Sequence, residues 1–248
     1  MRTLRAELHV HTVLSPCAEV EMIPPLIVAE ALELGLELIA ITDHNASANV
    51  AAVQQAAAGT GLVVLPGMEL HTREDVHMLC LFQELDALAA LQFEVDRLLP
   101  ITLNRPDYFG EQFIVDATGD FLGREERLLL VAADLSIEAA CEIVHRLGGI
   151  TIPAHVDRTA FGLIASLGFV PPDLCVDALE VSRHLAPAAA RAKFPQLAPY
   201  PLIQSGDAHR LNEILGLNQF TLAHRTLAEL ALALSGSEGR ALEVLDIV

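Results

Sequence analysis

Lysine is almost absent from this chain: of its 15 basic side chains only Lys193 is a lysine, and the others are arginines. Basic residues are scarce altogether, with 33 acidic groups set against those 15 and a formal charge of −18. That balance opposes sequence-independent attraction to a phosphate backbone, so no long nucleic acid is expected as a partner. Long apolar runs are missing too, and the opening "MRTLRAELHV" lacks the apolar core of a signal peptide. The expectation is a soluble, cytoplasmic protein with no membrane partner. The four cysteines, Cys17, Cys80, Cys141 and Cys175, form no C-x-x-C pair, which speaks against a zinc ribbon or a disulfide framework. Only Cys17 falls in a polar loop.

What the chain has in quantity is apolar surface. With 52% hydrophobic residues over 248 positions it can bury one large core. Short β-branched runs alternate with longer Ala/Leu/Glu-rich segments of helical period, the pattern of βα units around a parallel sheet. The expected strands are "AELHVHT", "LELIAITDH", "LVVLPGMEL", "VHMLCLF", "GGITIPAH", "DALEVS" and "PLIQSGDAH", a number close to that of a barrel. Helices are expected over 24–35, 47–58, 84–98, 136–147, 186–194, 209–216 and 226–235. The first has Pro24 and Pro25 at its start and Gly35 at its end, the usual helix punctuation. Residues 105–136 break the rhythm and read as a β-hairpin with "ATGD" as its turn, inserted near one end of a single domain spanning 1–248. No internal repeat or Gly/Ser linker marks a boundary.

The chemistry gathers where the strands end. On a strand, His9 and His11 point to one face, about 6.5 Å apart along the chain. One such pair decides nothing, but the pattern recurs: Asp43 and His44 end "AITDHN", Glu69 and His71 end "LPGMELHT", His77 opens "VHML", His155 ends "TIPAH", and Asp207 and His209 end "IQSGDAH". In parallel α/β sheets and barrels, functional residues collect just past the C-terminal strand ends. Imidazole mixed with carboxylate, without paired cysteines, suits Mn, Fe or Zn, and there are too many donors for one ion. Two or three divalent ions sharing a carboxylate would account for them. Such a cluster activates water and stabilises a leaving oxygen at phosphorus.

In order and spacing, H-x-H near the N-terminus, "TDHN", "PGMEL", "VHML", "PAHVD" and "GDAH" resemble the PHP (polymerase and histidinol phosphatase) family of metal-dependent phosphoesterases, from about residue 6 to 215. The resemblance implies a distorted (β/α)7 TIM-like barrel with its metal cluster at the strand C-termini. It implies that His9, His11, Glu69 and Asp207 hold a first metal, that Glu69 bridges to a second held by His77 and His155, and that His44 and His209 hold a third. The family often completes the third site with an aspartate or histidine five or six residues after the second histidine; here Pro16 and Cys17 stand there. Either Cys17 is a thiolate ligand that favours a softer ion, or the third site is completed by solvent. Asp43 orients an imidazole or caps the following helix, and His71 is a rim residue outside the family pattern.

Arg73, Arg158, Arg183 and Arg210 each follow a strand end or a ligand motif closely, and as a group they could bind the substrate's phosphate, with Arg158 and Arg210 the first choices. The activity expected is hydrolysis of a small phosphorylated metabolite or nucleotide by attack of a metal-bridging hydroxide on phosphorus. His209 and Asp207 are the catalytic candidates, a metal-bound water or His209 serving as any general acid. Tyr108 and Phe109, in the hairpin segment, are placed to stack on a base or sugar. Histidinol-phosphate phosphatase is one named possibility, and a non-catalytic metal-binding regulatory module is another. A carboxylated-lysine amidohydrolase centre fits poorly, since Lys193 lies in no strand-end motif.

Overall fold

The computed structural model describes residues 1–246. Its elements run β1 (Arg2–Val10), α1 (Pro24–Glu33), β2 (Leu38–Ile41), α2 (Val50–Ala56), β3 (Val63–His71), β4 (His77–Leu81), α3 (Leu85–Leu98), α4 (Pro106–Phe109), β5 (Phe113–Val115), β6 (Phe121–Arg124), α5 (Ile137–Arg146), β7 (Ile150–Pro153), α6 (Leu163–Leu167), β8 (Leu179–Val181), α7 (Pro187–Lys193), β9 (Leu202–Gln204), β10 (Asn218–Leu222), α8 (Leu227–Leu234) and β11 (Ala241–Val244). Seven strands form one curled half-barrel sheet in the order β11-β10-β1-β2-β3-β4-β7, and β8 and β9 pair separately. The fold is mixed α/β.

Only part of the sheet is parallel, contrary to expectation. β1, β2 and β3 run parallel, whereas β4 runs antiparallel to both β3 and β7, and β10 antiparallel to β1. The reason lies in the connection between β3 and β4, which is only the turn Thr72–Val76, closed by the Thr72 N–H donating to the Val76 carbonyl at 2.9 Å. A parallel return needs a crossover of a dozen residues or more, so β4 must fold straight back. The reversal puts the first residue of β4, His77, opposite the last residue of β3, His71.

Helices α1, α2, α3 and α5 cover one buried apolar cluster with residues such as Ile27, Val53, Leu91 and Val144. A second cluster joins Leu4, Ala6 and Leu8 of β1 to Phe220 and to Leu227 and Leu230 of α8. The prolines at the start of α1 sit where a missing N–H is not needed, and Gly35 takes a positive φ of 70° just past its end. Ser136 and Thr226 cap α5 and α8 by accepting from backbone N–H groups. The segment 105–136 holds α4 and the antiparallel pair β5–β6. Residues 209–216 form a single 3₁₀ turn at Leu211–Glu213 rather than the expected helix, because Leu215 and Gly216 direct their N–H groups to Glu7 at 3.1 and 3.0 Å. No helix among the described residues is long and apolar enough to cross a membrane.

Candidate metal centre

Every strand that reaches one rim of the sheet delivers a polar side chain there, and Glu69 is the centre on which they converge. Its carboxylate is 0% exposed. One oxygen lies 3.0 Å from His77 Nδ1, 3.1 Å from His155 Nε2 and 3.2 Å from His9 Nε2. The other lies 2.7 Å from His44 Nδ1 and 3.4 Å from His11 Nε2. Asp207 Oδ1 stands 3.3 Å from both His9 Nε2 and His11 Nε2 and 3.5 Å from His209 Nδ1.

The donor atoms fall into overlapping sets, each within 4.8 Å: His9, His11, Glu69 and Asp207; His44, Glu69 and His77; His11, His44 and His209. Buried Asp207 Oδ1 has no hydrogen-bond partner, Glu69 Oε2 and His44 Nδ1 lie 2.7 Å apart without a well-formed hydrogen bond between them, and His9 Nε2 faces His11 Nε2 at 3.1 Å. Buried polar atoms are normally satisfied; a cluster of carboxylate oxygens and imidazole nitrogens turned toward one another without partners suits divalent cations. The electrostatics agree in sense. Burial raises the Glu69 pKa, but His77, His9 and His44 hold it well below the usual carboxylate range. Burial opposes charge on His9, but Glu180, Glu69 and Asp207 raise its pKa well above the ordinary value. Burial, aided by nearby His209 and His44, drives His11 well below it, and burial takes His77 down to about 4 despite Glu69.

Several supports were not anticipated from the sequence. Glu180 of β8 places Oε1 3.0 Å from His9 Nδ1 and 3.1 Å from the His155 amide, fixing the ring whose far nitrogen points into the cluster. His11 Nδ1 meets Ser15 Oγ at 2.9 Å, and Ser15 donates to Asp43 at 2.7 Å. Asp43 thus acts on an imidazole through Ser15, while also accepting from the amide and hydroxyl of Thr12. Glu7 accepts from the amide of Gly206, and Arg183 donates to the same residue's carbonyl, which fixes the loop carrying Asp207 and His209. Asn45, His155, Asp207 and Phe161 all adopt positive φ, of 49°, 31°, 49° and 59°. Backbone strain of this kind persists where the surroundings over-determine it. The sequence signal for Glu7 and Glu180 is an acidic residue inside a short apolar strand.

The structure brings His9, His11, His44, Glu69, His77, His155, Asp207 and His209 together. Cys17 lies at the cavity mouth with His44 and His209; burial alone would raise its thiol pKa, but these two histidines bring it down to about 6. Burial likewise disfavours charge on His209, and Cys17 and Asp207 reverse this, so that its pKa is raised. The cavity, about 620 Å³, is also lined by Arg158, Arg183 and Arg210. Arg158 is ion-paired with Asp207, Arg183 with Glu213 at 2.9 Å and Arg210 with Glu19 at 3.0 Å. Arg73 pairs with exposed Asp134 at 2.7 Å and is not among the lining residues. His71 is buried against Asp75 at 2.9 Å and reaches the cavity, as do His184 and Phe109, whereas Tyr108 does not. His145 pairs with Asp177 away from the cavity.

A curled α/β half-barrel with an imidazole–carboxylate cluster at its rim defines a fold built to hold divalent cations at the strand ends. The PHP domain family matches residues 7–164, and the chain belongs to that family. No curated protein matches the sequence. In fold, the chain is similar to the lesion-specific endonuclease Q of Pyrococcus furiosus, with a TM-score of 0.70 at 18% identity over 97% of this chain and 58% of that one. It is equally similar to an endonuclease Q bound to a 27-mer duplex with an abasic lesion at its active site, with a TM-score of 0.69 at 19% identity over 97% and 58% of the two chains. The chain therefore spans 58% of the length of those endonucleases. A protein of Bifidobacterium adolescentis described as a metal-dependent phosphoesterase aligns with a TM-score of 0.55 at 21% identity over 83% of this chain and 87% of its own. These neighbours correct the expectation that long nucleic acid is excluded, since the same architecture is found seated on duplex DNA. Net charge averages the whole surface, while a phosphate meets only the field at the rim.

Proposed function

We propose that this chain is a metal-dependent phosphoesterase whose substrate, a small phosphorylated metabolite or nucleotide, places its phosphate between the Glu69 cluster and Arg158. The observation that carries the reading is the fully buried Glu69 carboxylate with imidazoles of His9, His11, His44, His77 and His155 within 3.4 Å and the partner-free Asp207 Oδ1 beside them. Two or three divalent ions, Mn, Fe or Zn, fit this set: one on His9, His11, Glu69 and Asp207, one on Glu69, His77 and His155, and one on His44 and His209 with Cys17 at its edge. When bound, such ions supply Lewis acidity that activates water and neutralises phosphoryl oxygens.

The chain's own groups do the rest. Arg158 has Asp207 as its present partner, and its planar fork can exchange that carboxylate for a phosphate oxygen. Arg210, exposed at the rim, attracts the anion. Arg183 is occupied with Gly206 and Glu213 and serves by holding the Asp207–His209 loop. With only two ions bound, His209 is left free to be the proton donor to the leaving oxygen, and its raised pKa suits that role.

A second reading, cleavage of a phosphodiester within DNA, is favoured by the likeness to an endonuclease Q on a lesion-bearing duplex. The test uses metal-stripped protein, restored with Mn²⁺ or Zn²⁺, on p-nitrophenyl phosphate, bis-p-nitrophenyl phosphate, mononucleotides and a duplex with an abasic site. Turnover that needs metal and is lost in Asp207→Asn supports the proposal, and the best substrate separates the two readings. Metal binding without turnover of any of them would make the chain a binding module instead.

A further inference from the structure

Phe161 is not needed by any metal, yet the fold goes to some length to hold it at the site. Its backbone is left-handed at φ 59°, a conformation that bulky side chains rarely take. Its carbonyl accepts the His77 N–H at 3.0 Å. Its ring lies parallel to the His77 imidazole, 4.5 Å away at 2°, and meets His71 edge-on at 4.9 Å. A ring that merely buttressed His77 would be buried; this one is 41% exposed and lines the cavity. Ala160, Leu130 and Phe109 line the same cavity, as do the cationic Arg158 and Arg210.

Phe161 and Arg158 also ride on one tight loop. Arg158 donates its amide to His155 at 2.9 Å, and at Gly162 the place a Cβ would take is filled by the Arg158 carbonyl. The loop therefore brings an aromatic ring and a guanidinium to the same cavity. A cavity of about 620 Å³ has room for far more than a phosphate, being of the size that encloses whole small ligands. A flat π-faced group joined to phosphate by a sugar matches that pairing.

We propose that Phe161 is a stacking shelf for the nucleobase of the substrate, so that this subsite selects base-bearing phosphoesters over aliphatic ones. The inference rests on the phosphoesterase reading only for where the phosphate sits. Base-on-aromatic stacking tolerates every base because each has a π-face, and losing one such contact weakens binding on the order of ten-fold. The base can belong to a free nucleotide or to a nucleic-acid strand.

The experiment measures calorimetric affinity and, where turnover occurs, KM and kcat for adenosine 5′-monophosphate, glycerol 1-phosphate and a short single-stranded deoxyoligonucleotide, all with Mn²⁺-loaded protein. Phe161→Leu and Phe161→Tyr are compared with the parent chain. The expected result is that Leu lowers the ratio of nucleotide to glycerol-phosphate affinity about ten-fold while Tyr preserves it. A shift confined to the oligonucleotide assigns the base to a nucleic acid, and one seen with the mononucleotide assigns it to a free nucleotide. If Leu weakens all ligands in the same proportion, Phe161 only buttresses His77 and the proposal is overturned, as it is if the parent chain binds base-bearing ligands no better than glycerol phosphate. Phe161-dependent binding of the nucleotide with no hydrolysis of any ligand would sink the phosphoesterase reading and leave the shelf standing.

Discussion

Replacing Glu180 with glutamine should loosen the metal site while leaving the fold in place. Glu180 Oε1 receives His9 Nδ1 at 3.0 Å and the His155 amide at 3.1 Å, and the residue is 1% exposed. With Nδ1 committed in this way, the other nitrogen of His9 is the one presented to Glu69 and Asp207. Glutamine keeps an acceptor oxygen at the same place, so both contacts can survive, but the charge is gone. Hydrogen bonds to a charged acceptor contribute about 1.5–3 kcal/mol against about 1 for neutral ones, so two such bonds together weaken by about 2 kcal/mol. A divalent ion carries more charge than the proton it displaces from His9, and the loss therefore falls mainly on the metal-bound state. Two kcal/mol corresponds to about a thirty-fold rise in the metal dissociation constant, within the ten- to hundred-fold range usual for carboxylates that orient a metal-binding histidine. Competitive titration of metal-free protein with Zn²⁺ or Mn²⁺ against a chromophoric chelator measures it, alongside the Tm of the metal-free variant. An affinity unchanged within about two-fold, with Tm also unchanged, would mean that His9 is not a ligand and would remove the geometric basis for the first metal position.

Gly206→Ala should abolish metal-dependent turnover by at least about a hundred-fold, the scale of a displacement near 1 Å. The added Cβ meets the Glu213 carbonyl and must shift the loop bearing Asp207 and His209; full activity in the purified variant would refute this. Asn45→Ala removes bonds to the carbonyls of Leu129 and Val131 at 2.8 and 2.9 Å and to the His71 amide at 2.9 Å. With each stranded backbone group costing about 1–3 kcal/mol, urea denaturation should show a loss of about 3 kcal/mol or more, and a loss below about 1 would contradict the assignment. Glu229 has its pKa lowered to about 2, chiefly by hydrogen bonds from Arg240. A carboxylate with a folded pKa below its unfolded value contributes stability above the unfolded value of 4.5 and loses it as pH falls toward 2. Glu229→Gln should therefore flatten the acid limb of Tm against pH between those limits, and an unaltered limb would show that the pair does not contribute.

The eight clustered donors were legible because imidazole and carboxylate are conspicuous at the ends of apolar runs, and because strand ends in this architecture share a rim. Strand direction was legible only in loop length. The five residues from Thr72 to Val76 between β3 and β4, "TREDV", already forbid a parallel return, and that reversal is what carries His77 to the rim. The helix expected over 209–216 failed for a nonlocal reason. Its amides are claimed by Glu7, which is about two hundred residues away in sequence and adjacent in space; no local pattern records such a partner. Composition misled over nucleic acid because a total of −18 says nothing of where Arg158 and Arg210 stand. Glu7 and Glu180 show what a closer reading would have used. A carboxylate in a strand otherwise built of Leu, Val and Ala costs several kcal/mol to bury unless something meets it, so its presence implies a partner that the fold must supply. In β1 that partner is the backbone of the ligand loop, and in β8 it is His9 itself. Both acids thus point from the hydrophobic interior toward the same cluster that the histidines mark from the rim.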